Sequence, residues 1–120
     1  MSTSYRPNIL GQARPAAGQV QTLVILRPDQ NGYCHIRIAN ISNDTPDTIK
    51  VVIKKAGDSD SLSDPSSTDD SHYLAYNTLL PPNNLFVLPN IGLEPQDQVL
   101  VYSENGVVDF NCTGATFLNF

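Results

Sequence analysis

The segment from residue 79 to residue 112 is a series of short apolar runs separated by turn-forming residues. Proline, asparagine and glycine interrupt it at 81–84, 89–90, 94–97 and 104–106. Short β-prone runs bounded by such residues are typical of strands. No part of the chain has a clear 3.6-residue repeat of apolar positions, so helices are not expected. The segment therefore restricts the chain to an all-β fold.

The Asn105-Gly106 pair separates two of these runs, at 99–103 and 107–112. A two-residue Asn-Gly loop is the strongest short-range hairpin signal, because both of its turn positions need positive φ. Pairing the runs through this loop puts Val101 opposite Phe110 on an apolar face, as a half-buried sheet requires. The sequence thus predicts a terminal hairpin. Another Asn-Gly pair, at 31–32, is expected to turn the chain into the strand that begins at residue 33.

The whole chain is predicted to form one antiparallel β-sandwich of about seven strands, with either a jelly-roll or an immunoglobulin-like arrangement. On the second strand, Cys34, Ile36 and Ile38 share one face, so we expect them to point inward. On the third strand the inward residues are expected to be Ile49, Val51 and Ile53. The predicted strands lie at 20–26, 33–41, 48–56, 72–77, 85–88, 99–103 and 107–112.

Three segments lie outside this pattern. Residues 1–19 contain several prolines and glycines and no periodicity, and they predict an extended N-terminal arm before a sandwich domain at 20–120. Residues 57–70 are the most polar stretch and are expected to form an acidic, flexible loop. The tail at 115–120 is too apolar for a free terminus and is expected to be paired or buried in an interface.

Composition sets limits on partners and location. Of the 120 residues, 16% are charged, whereas roughly 25% is typical of soluble domains. A surface with few charges suits a protein that is packed in an assembly, but it is also common in ordinary secreted β domains. The formal charge is −5 and the seven basic residues do not cluster, so nucleic acid is not expected as a partner. No apolar stretch approaches the ~20 residues of a membrane helix, and the first residues lack a signal-type core. We therefore expect cytoplasmic synthesis and no membrane partner.

Candidate chemistry is sparse, and neither an enzyme nor a cofactor is predicted. Carboxylates alternate from Asp58 as at the start of a calcium loop, but the later ligand positions fail, so no metal site is predicted. Weak binding of a cation between Asp58, Asp60, Asp64, Asp69 and Asp70 stays open as the alternative. Cys34 and His35 are neighbours on a strand and point to opposite faces, which excludes a catalytic pair. Cys34 and Cys112 are expected to be buried thiols, with a disulfide between facing sheets as the alternative.

Tyrosines offer a further candidate, a glycan-binding strip. Such a strip would need several aromatic rings on one face of a sheet. Tyr73 and Tyr76 are predicted to point to opposite faces of their strand, and the other tyrosines are scattered. Packing in the core and at interfaces is therefore the preferred interpretation.

An ordered set of short motifs resembles a family of small virion proteins that is frequent in cyanophages and related tailed phages. The resemblance spans residues 9–112, and the order and spacing of the motifs carry it. The acidic insertion at 58–70 and the apolar tail after Cys112 depart from the family pattern. The motifs are Leu10-Gly11-Gln12 with Pro15, Thr22-Leu23, Pro28, Ile36-Arg37-Ile38-Ala39-Asn40, Gly57, Tyr73-Leu74-Ala75-Tyr76, Asn83, Ile91-Gly92-Leu93, Asp97-Gln98-Val99-Leu100-Val101-Tyr102 and Asp109-Phe110-Asn111.

The resemblance implies a structural β-sandwich on a phage particle, and in particular a capsid decoration (cement) protein that bridges major capsid subunits on the head surface. The implied partners are the major capsid protein or other virion proteins, and copies of the chain itself, with a trimer favoured by the threefold positions of a shell. The alternatives are a neck, tail or fibre subunit, or a receptor- or glycan-binding module on the virion. The residues expected to contact partners are Tyr5, Ile9, Leu10, Phe117 and Phe120.

Overall fold

The described part of the protein consists of eight β-strands. The computed structural model describes residues 3–55 and 73–119, and it describes side chains within 10–55 and 73–118. The acidic loop predicted at 57–70 and residue Phe120 therefore lie outside the described residues. The strands are β1 (Thr3–Ala13), β2 (Gln19–Ile25), β3 (Gln30–Asn40), β4 (Asp47–Lys54), β5 (Tyr73–Leu80), β6 (Leu85–Leu93), β7 (Gln98–Ser103) and β8 (Val108–Asn119).

The strands form two four-stranded antiparallel sheets that pack as a sandwich. The first sheet has the order β1-β8-β3-β6, and the second has the order β2-β7-β4-β5. Successive strands alternate between the sheets except at β4 and β5, which pair with each other. An eight-stranded double sheet of this kind is a jelly roll, whereas an immunoglobulin sandwich places its first two strands side by side in one sheet. The predicted antiparallel sandwich is confirmed, with eight strands instead of seven.

The additional strand comes from the segment predicted as an extended arm. Strand β1 pairs with β8 along its whole length, from Thr3 opposite Asn119 to Ala13 opposite Phe110. Strand β8 in turn pairs with β3 on its other side. The prediction that the apolar tail is paired is confirmed, because β8 runs through it to Asn119.

The hydrophobic core lies between the two sheets, on the faces that the sequence predicted. Cys34, Ile36 and Ile38 on β3 are fully buried, and so are Ile49 and Val51 on β4. Their burial follows the two-residue alternation of strands. The prediction of these inward faces is confirmed.

The predicted terminal hairpin is wrong, because β7 and β8 belong to different sheets. Val101 lies opposite Gln21 and Val51, and Phe110 lies opposite Ala13 and Ile38. The two apolar runs therefore face each other across the core instead of pairing edge to edge. Asn105-Gly106 is a corner between sheets, and only its glycine has a positive φ, of 75°.

The buried carboxylate of Asp47 holds this corner. It accepts the backbone N–H of Asn105 at 2.9 Å and that of Val107 at 3.3 Å, and it also accepts the hydroxyl of Ser103. The Ser103 hydroxyl oxygen in turn accepts the N–H of Gly106 at 2.9 Å. Backbone donors that a hairpin would pair in its ladder are thus satisfied by side chains, as buried polar groups must be. Asp47 itself is only 1% exposed.

The backbones of the two sheets come close together at Gly11. Strand β1 has a bulge between Ile9 and Gly11, and a Cβ atom on Gly11 would lie 2.0 Å from the carbonyl oxygen of Leu23 on β2. Only glycine allows this approach of the two backbones. Two of the motifs behind the family resemblance, Leu10-Gly11-Gln12 and Thr22-Leu23, therefore meet in the fold.

Candidate functional site

The structure brings together several of the residues predicted to contact partners. Tyr5 on β1 lies directly opposite Phe117 on β8, and Ile9 lies opposite Thr113. Leu10 is half-buried and packs against the core, so it stabilises the sandwich. Phe120 lies outside the described residues. Tyr5, Ile9 and Phe117 thus belong to one strand pair at the edge of the first sheet.

Aromatic rings continue from Phe117 across the outer face of the first sheet. The ring of Phe117 lies 6.1 Å from that of Tyr33, which in turn lies 6.4 Å from the ring of His35. His35 accepts the backbone N–H of Asn90 through Nδ1 at 3.1 Å, while its neighbour Cys34 points into the core. The prediction that Cys34 and His35 point to opposite faces is confirmed.

The opposite edge of the same face is apolar. Leu85 and Val87 on β6 are 53% and 45% exposed. They lie opposite Ala39 and Arg37 of β3. Exposed apolar side chains that adjoin one another are common where proteins meet partners.

Two adjoining cavities lie on the first sheet, and they share Asp109 and Asn111 of β8. The first cavity has a volume of about 440 Å³ and lies where β1 and β8 meet β2. The second cavity has a volume of about 240 Å³ and extends over β3 towards β6. The first is lined by Gln12, Ala13, Arg14, Gln21, Asp109, Phe110 and Asn111, and the second by Arg37, Ala39, Leu85, Asp109 and Asn111.

The polar groups around the cavities differ in whether they have hydrogen-bond partners. The Arg14 guanidinium donates two hydrogen bonds to the Asp109 carboxylate, at 2.5 and 3.1 Å. This paired geometry restricts both side chains, and it raises the pKa of Arg14 above its usual value. The side-chain oxygen of Asn111, by contrast, is buried and has no hydrogen-bond partner among the described residues. A buried acceptor without a donor is rare in folded proteins.

A second candidate surface lies on the outer face of the second sheet, where Tyr73, Tyr76 and Tyr102 surround Lys50. We call these four residues the tyrosine cluster. The rings of Tyr73 and Tyr76 meet edge to face with centroids 4.7 Å apart. The Lys50 ammonium lies 5.5 Å from the ring centroid of Tyr76 and 4.9 Å from that of Tyr102. The prediction that Tyr73 and Tyr76 point to opposite faces is therefore wrong.

A β-bulge causes this difference. Val51 lies opposite Ala75 and Val52 lies opposite Tyr73, so Leu74 is an extra residue of β5. This extra residue reverses the alternation between Ala75 and Tyr73 and brings Tyr73 to the side of Tyr76. A second irregularity of β5 contains Asn77, which has a φ of 49°, a left-handed conformation that asparagine tolerates better than most residues.

Replacing Lys50 with methionine is expected to lower the free energy of unfolding by about 1 kcal/mol, because it removes the cation from two tyrosine rings. Urea denaturation would measure the change. The matched control is Lys54→Met on the same strand, since Lys54 has no ring contact within the described residues. Equal losses in the two variants would contradict the cation–π assignment.

The two cysteines are free and fully buried, as predicted. They lie in the same sheet, diagonally across β3 and β8, because Cys112 is opposite Ile36 and Cys34 is opposite Gly114. The alternative of a disulfide between facing sheets is therefore wrong. The hydrogen bond with Cys34 and burial away from water raise the pKa of the Cys112 thiol, which disfavours the reactive thiolate.

We expect neither thiol to react with Ellman's reagent in the folded protein, and both to react in concentrated urea. Burial excludes the reagent, and the raised pKa of Cys112 leaves little thiolate at neutral pH. Absorbance of the released thionitrobenzoate would count the reactive thiols. Rapid reaction of one thiol without denaturant would contradict the buried arrangement.

No known family model, curated protein or solved structure matches the chain. Within 3–55 and 73–119, no three histidine, cysteine or acidic side chains come together in a group that could hold a metal ion. The same residues include no helix with the length and apolar character needed to cross a membrane. The carboxylates considered for calcium, which begin at Asp58, lie outside the described part of the chain.

Proposed function

We propose that the protein is a structural subunit of a phage virion, and specifically a decoration protein that binds neighbouring major capsid subunits on the head. The observation that carries this proposal is the position of β1. It is an edge strand that pairs with β8 on one side, and in the described sheets no strand pairs with its other side. A free strand edge allows a partner strand to add through backbone hydrogen bonds.

The neighbouring end of β8 adds contact area to this edge. Tyr5 and Ile9 on β1 and Phe117 on β8 were predicted to contact partners, and their strands run side by side in register. Apolar and aromatic residues are the side chains that anchor protein interfaces. We propose that this strand pair contacts the capsid.

The distribution of charge supports a role in a crowded assembly. Five of the 12 acidic residues lie between Asp58 and Asp70, a stretch without lysine or arginine. The rest of the chain holds seven acidic and seven basic residues, so its formal charge is zero. A sandwich without net charge can pack against copies of itself with little repulsion. We propose that it associates into trimers, which suit the threefold positions of a shell.

Immunogold labelling of intact particles from the source phage tests the location. An antibody against this chain is expected to label the whole head surface. Label confined to the neck or tail would favour the alternative of a neck, tail or fibre subunit. The absence of label on all particles, with the protein detected in the lysate, would contradict a virion role.

A binding assay tests the contact surface. Purified protein is expected to bind particles that lack it, and a variant without residues 1–8 is expected to lose that binding while residues 9–13 remain to close the sheet. Thermal unfolding of the shortened variant would verify that it folds. Tyr76→Ser, on the second sheet, serves as a control and should bind normally; equal binding by the shortened variant would contradict the role of β1.

A further inference from the structure

We propose that the two cavities around Asp109 and Asn111 form a binding site for a neutral carbohydrate. Their combined surface lies mainly on the first sheet, with Gln21 of β2 at its border. Tyr76 of the tyrosine cluster lies on β5, at the other edge of the second sheet. The inference does not depend on the virion role, because it rests on the chemistry of the cavity walls alone.

The size of the cavities suits a sugar. The first cavity, at about 440 Å³, falls within the range of roughly 300–1,000 Å³ that small-molecule sites occupy. The second adjoins it with a volume of about 240 Å³. Two sugar rings joined by a glycosidic bond would extend from one cavity into the other across their shared wall.

The first cavity offers both donors and acceptors on planar side chains. Arg14 can only donate hydrogen bonds and ionised Asp109 can only accept them, while the amides of Gln12, Gln21 and Asn111 do both. A hydroxyl group also donates and accepts, so neighbouring hydroxyls of a sugar can be satisfied by such a wall. The double hydrogen bond between Arg14 and Asp109 holds these two groups in place before a ligand arrives.

The side chain of Asn111 requires a donor that the described protein does not provide. Its Oδ1 atom is buried and has no hydrogen-bond partner, and Asn111 lines both cavities. Less than 1 Å² of this oxygen is exposed, so a ligand hydroxyl donates to it once the Asn111 side chain turns its oxygen towards the cavities.

The other features of the site favour a sugar over a cation or a peptide strand. The positive charge of Arg14 is matched by Asp109 in the first cavity, and Arg37 adds a further positive charge in the second, so the site does not attract cations. The Arg37 guanidinium can also donate hydrogen bonds to sugar hydroxyls. Leu85 and Ala39 in the second cavity give an apolar surface for the C–H face of a sugar ring. Strand β8, which carries Asp109 and Asn111, is paired on both sides, so it has no free edge for an added peptide strand.

NMR titration of the full-length chain tests the proposal. Methyl α-glucoside, methyl α-galactoside, methyl α-mannoside and methyl β-N-acetylglucosaminide would each be added to ¹⁵N-labelled protein, up to about 100 mM. At least one is expected to produce saturable shifts of the Asn111 and Gln12 side-chain amides, with a Kd in the millimolar range. Asn111→Leu is expected to weaken that binding by at least about tenfold.

Matched variants distinguish binding in these cavities from binding elsewhere on the protein. Tyr76→Ala, in the tyrosine cluster, should leave the affinity unchanged, and Gln21→Ala on β2 gives a second test if Asn111→Leu fails to fold. The absence of saturable shifts with all four glycosides would overturn the proposal. Shifts confined to the tyrosine cluster, or unchanged binding by a folded Asn111→Leu variant, would also overturn it. Head labelling and sugar binding are measured separately, so the failure of one leaves the other standing.

Discussion

Alanine in place of Gly11 is expected to lower the free energy of unfolding by about 3 kcal/mol, the upper end of the usual cost of overpacking. The added Cβ would lie 2.0 Å from the carbonyl oxygen of Leu23, and backbone atoms cannot rotate away as a flexible side chain can. Leu23 is itself a core residue with 6% exposure, so relieving the contact would move β1 away from β2. Urea denaturation followed by circular dichroism would measure the loss.

Gly92→Ala is the matched control. Gly92 lies in β6, where an added Cβ would have no atom within 4 Å and where φ is not positive. Its replacement is expected to change stability by less than about 1 kcal/mol, and a small gain is expected because alanine restricts the unfolded chain. A loss for Gly11→Ala no larger than that for Gly92→Ala would contradict the close approach of the sheets.

Asp47→Ala is expected to have a comparable effect, a loss of about 3 kcal/mol. The substitution leaves the N–H groups of Thr48, Asn105 and Val107 and the hydroxyl of Ser103 without their acceptor. A buried polar group that loses its partner costs about 1–3 kcal/mol. The four groups are coupled through one carboxylate, so their costs are not additive. The midpoint of urea denaturation would report the change.

Two further variants test whether the loss of stability comes from the buried hydrogen bonds of Asp47 or only from the removal of a negative charge. Asp29→Ala removes an exposed carboxylate that pairs with Arg27 at 3.2 Å, and such surface pairs contribute at most about 1 kcal/mol. Asp47→Asn keeps one acceptor oxygen and is expected to lie between the two alanine variants. If Asp47→Ala were no more damaging than Asp29→Ala, the corner between the sheets would not depend on the carboxylate.

Local periodicity was sufficient to predict which residues enter the core. The alternation of Cys34, Ile36 and Ile38 indicates one inward face whichever strands lie beside β3. Periodicity does not predict which strands pair with each other, because the same apolar run fits either sheet. Both Asn-Gly pairs show this limit: residues 31–32 lie inside β3, and the turn before that strand is closed by the N–H of Gln30 donating to Arg27.

The candidate sites depended on features that the sequence pattern does not contain. Tyr73 joined the tyrosine cluster through a bulge, which shifts the alternation by one residue without a strong sequence signal. The carbohydrate-site residues Gln12, Gln21 and Asn111 come from three strands that are far apart in sequence, so no motif links them. Only the jelly-roll strand order brings these strands together.

The central position of β8 also has a consequence for the time course of folding. Of the eight strands, β8 leaves the ribosome last, yet β1 and β3 both pair with it. The first sheet therefore cannot close before β8 has been made, and β1 must wait for a partner about 100 residues away. Contacts of such long range slow folding and leave unpaired edges exposed for a time. We expect newly made chains to remain open to association with other proteins until synthesis has passed residue 119.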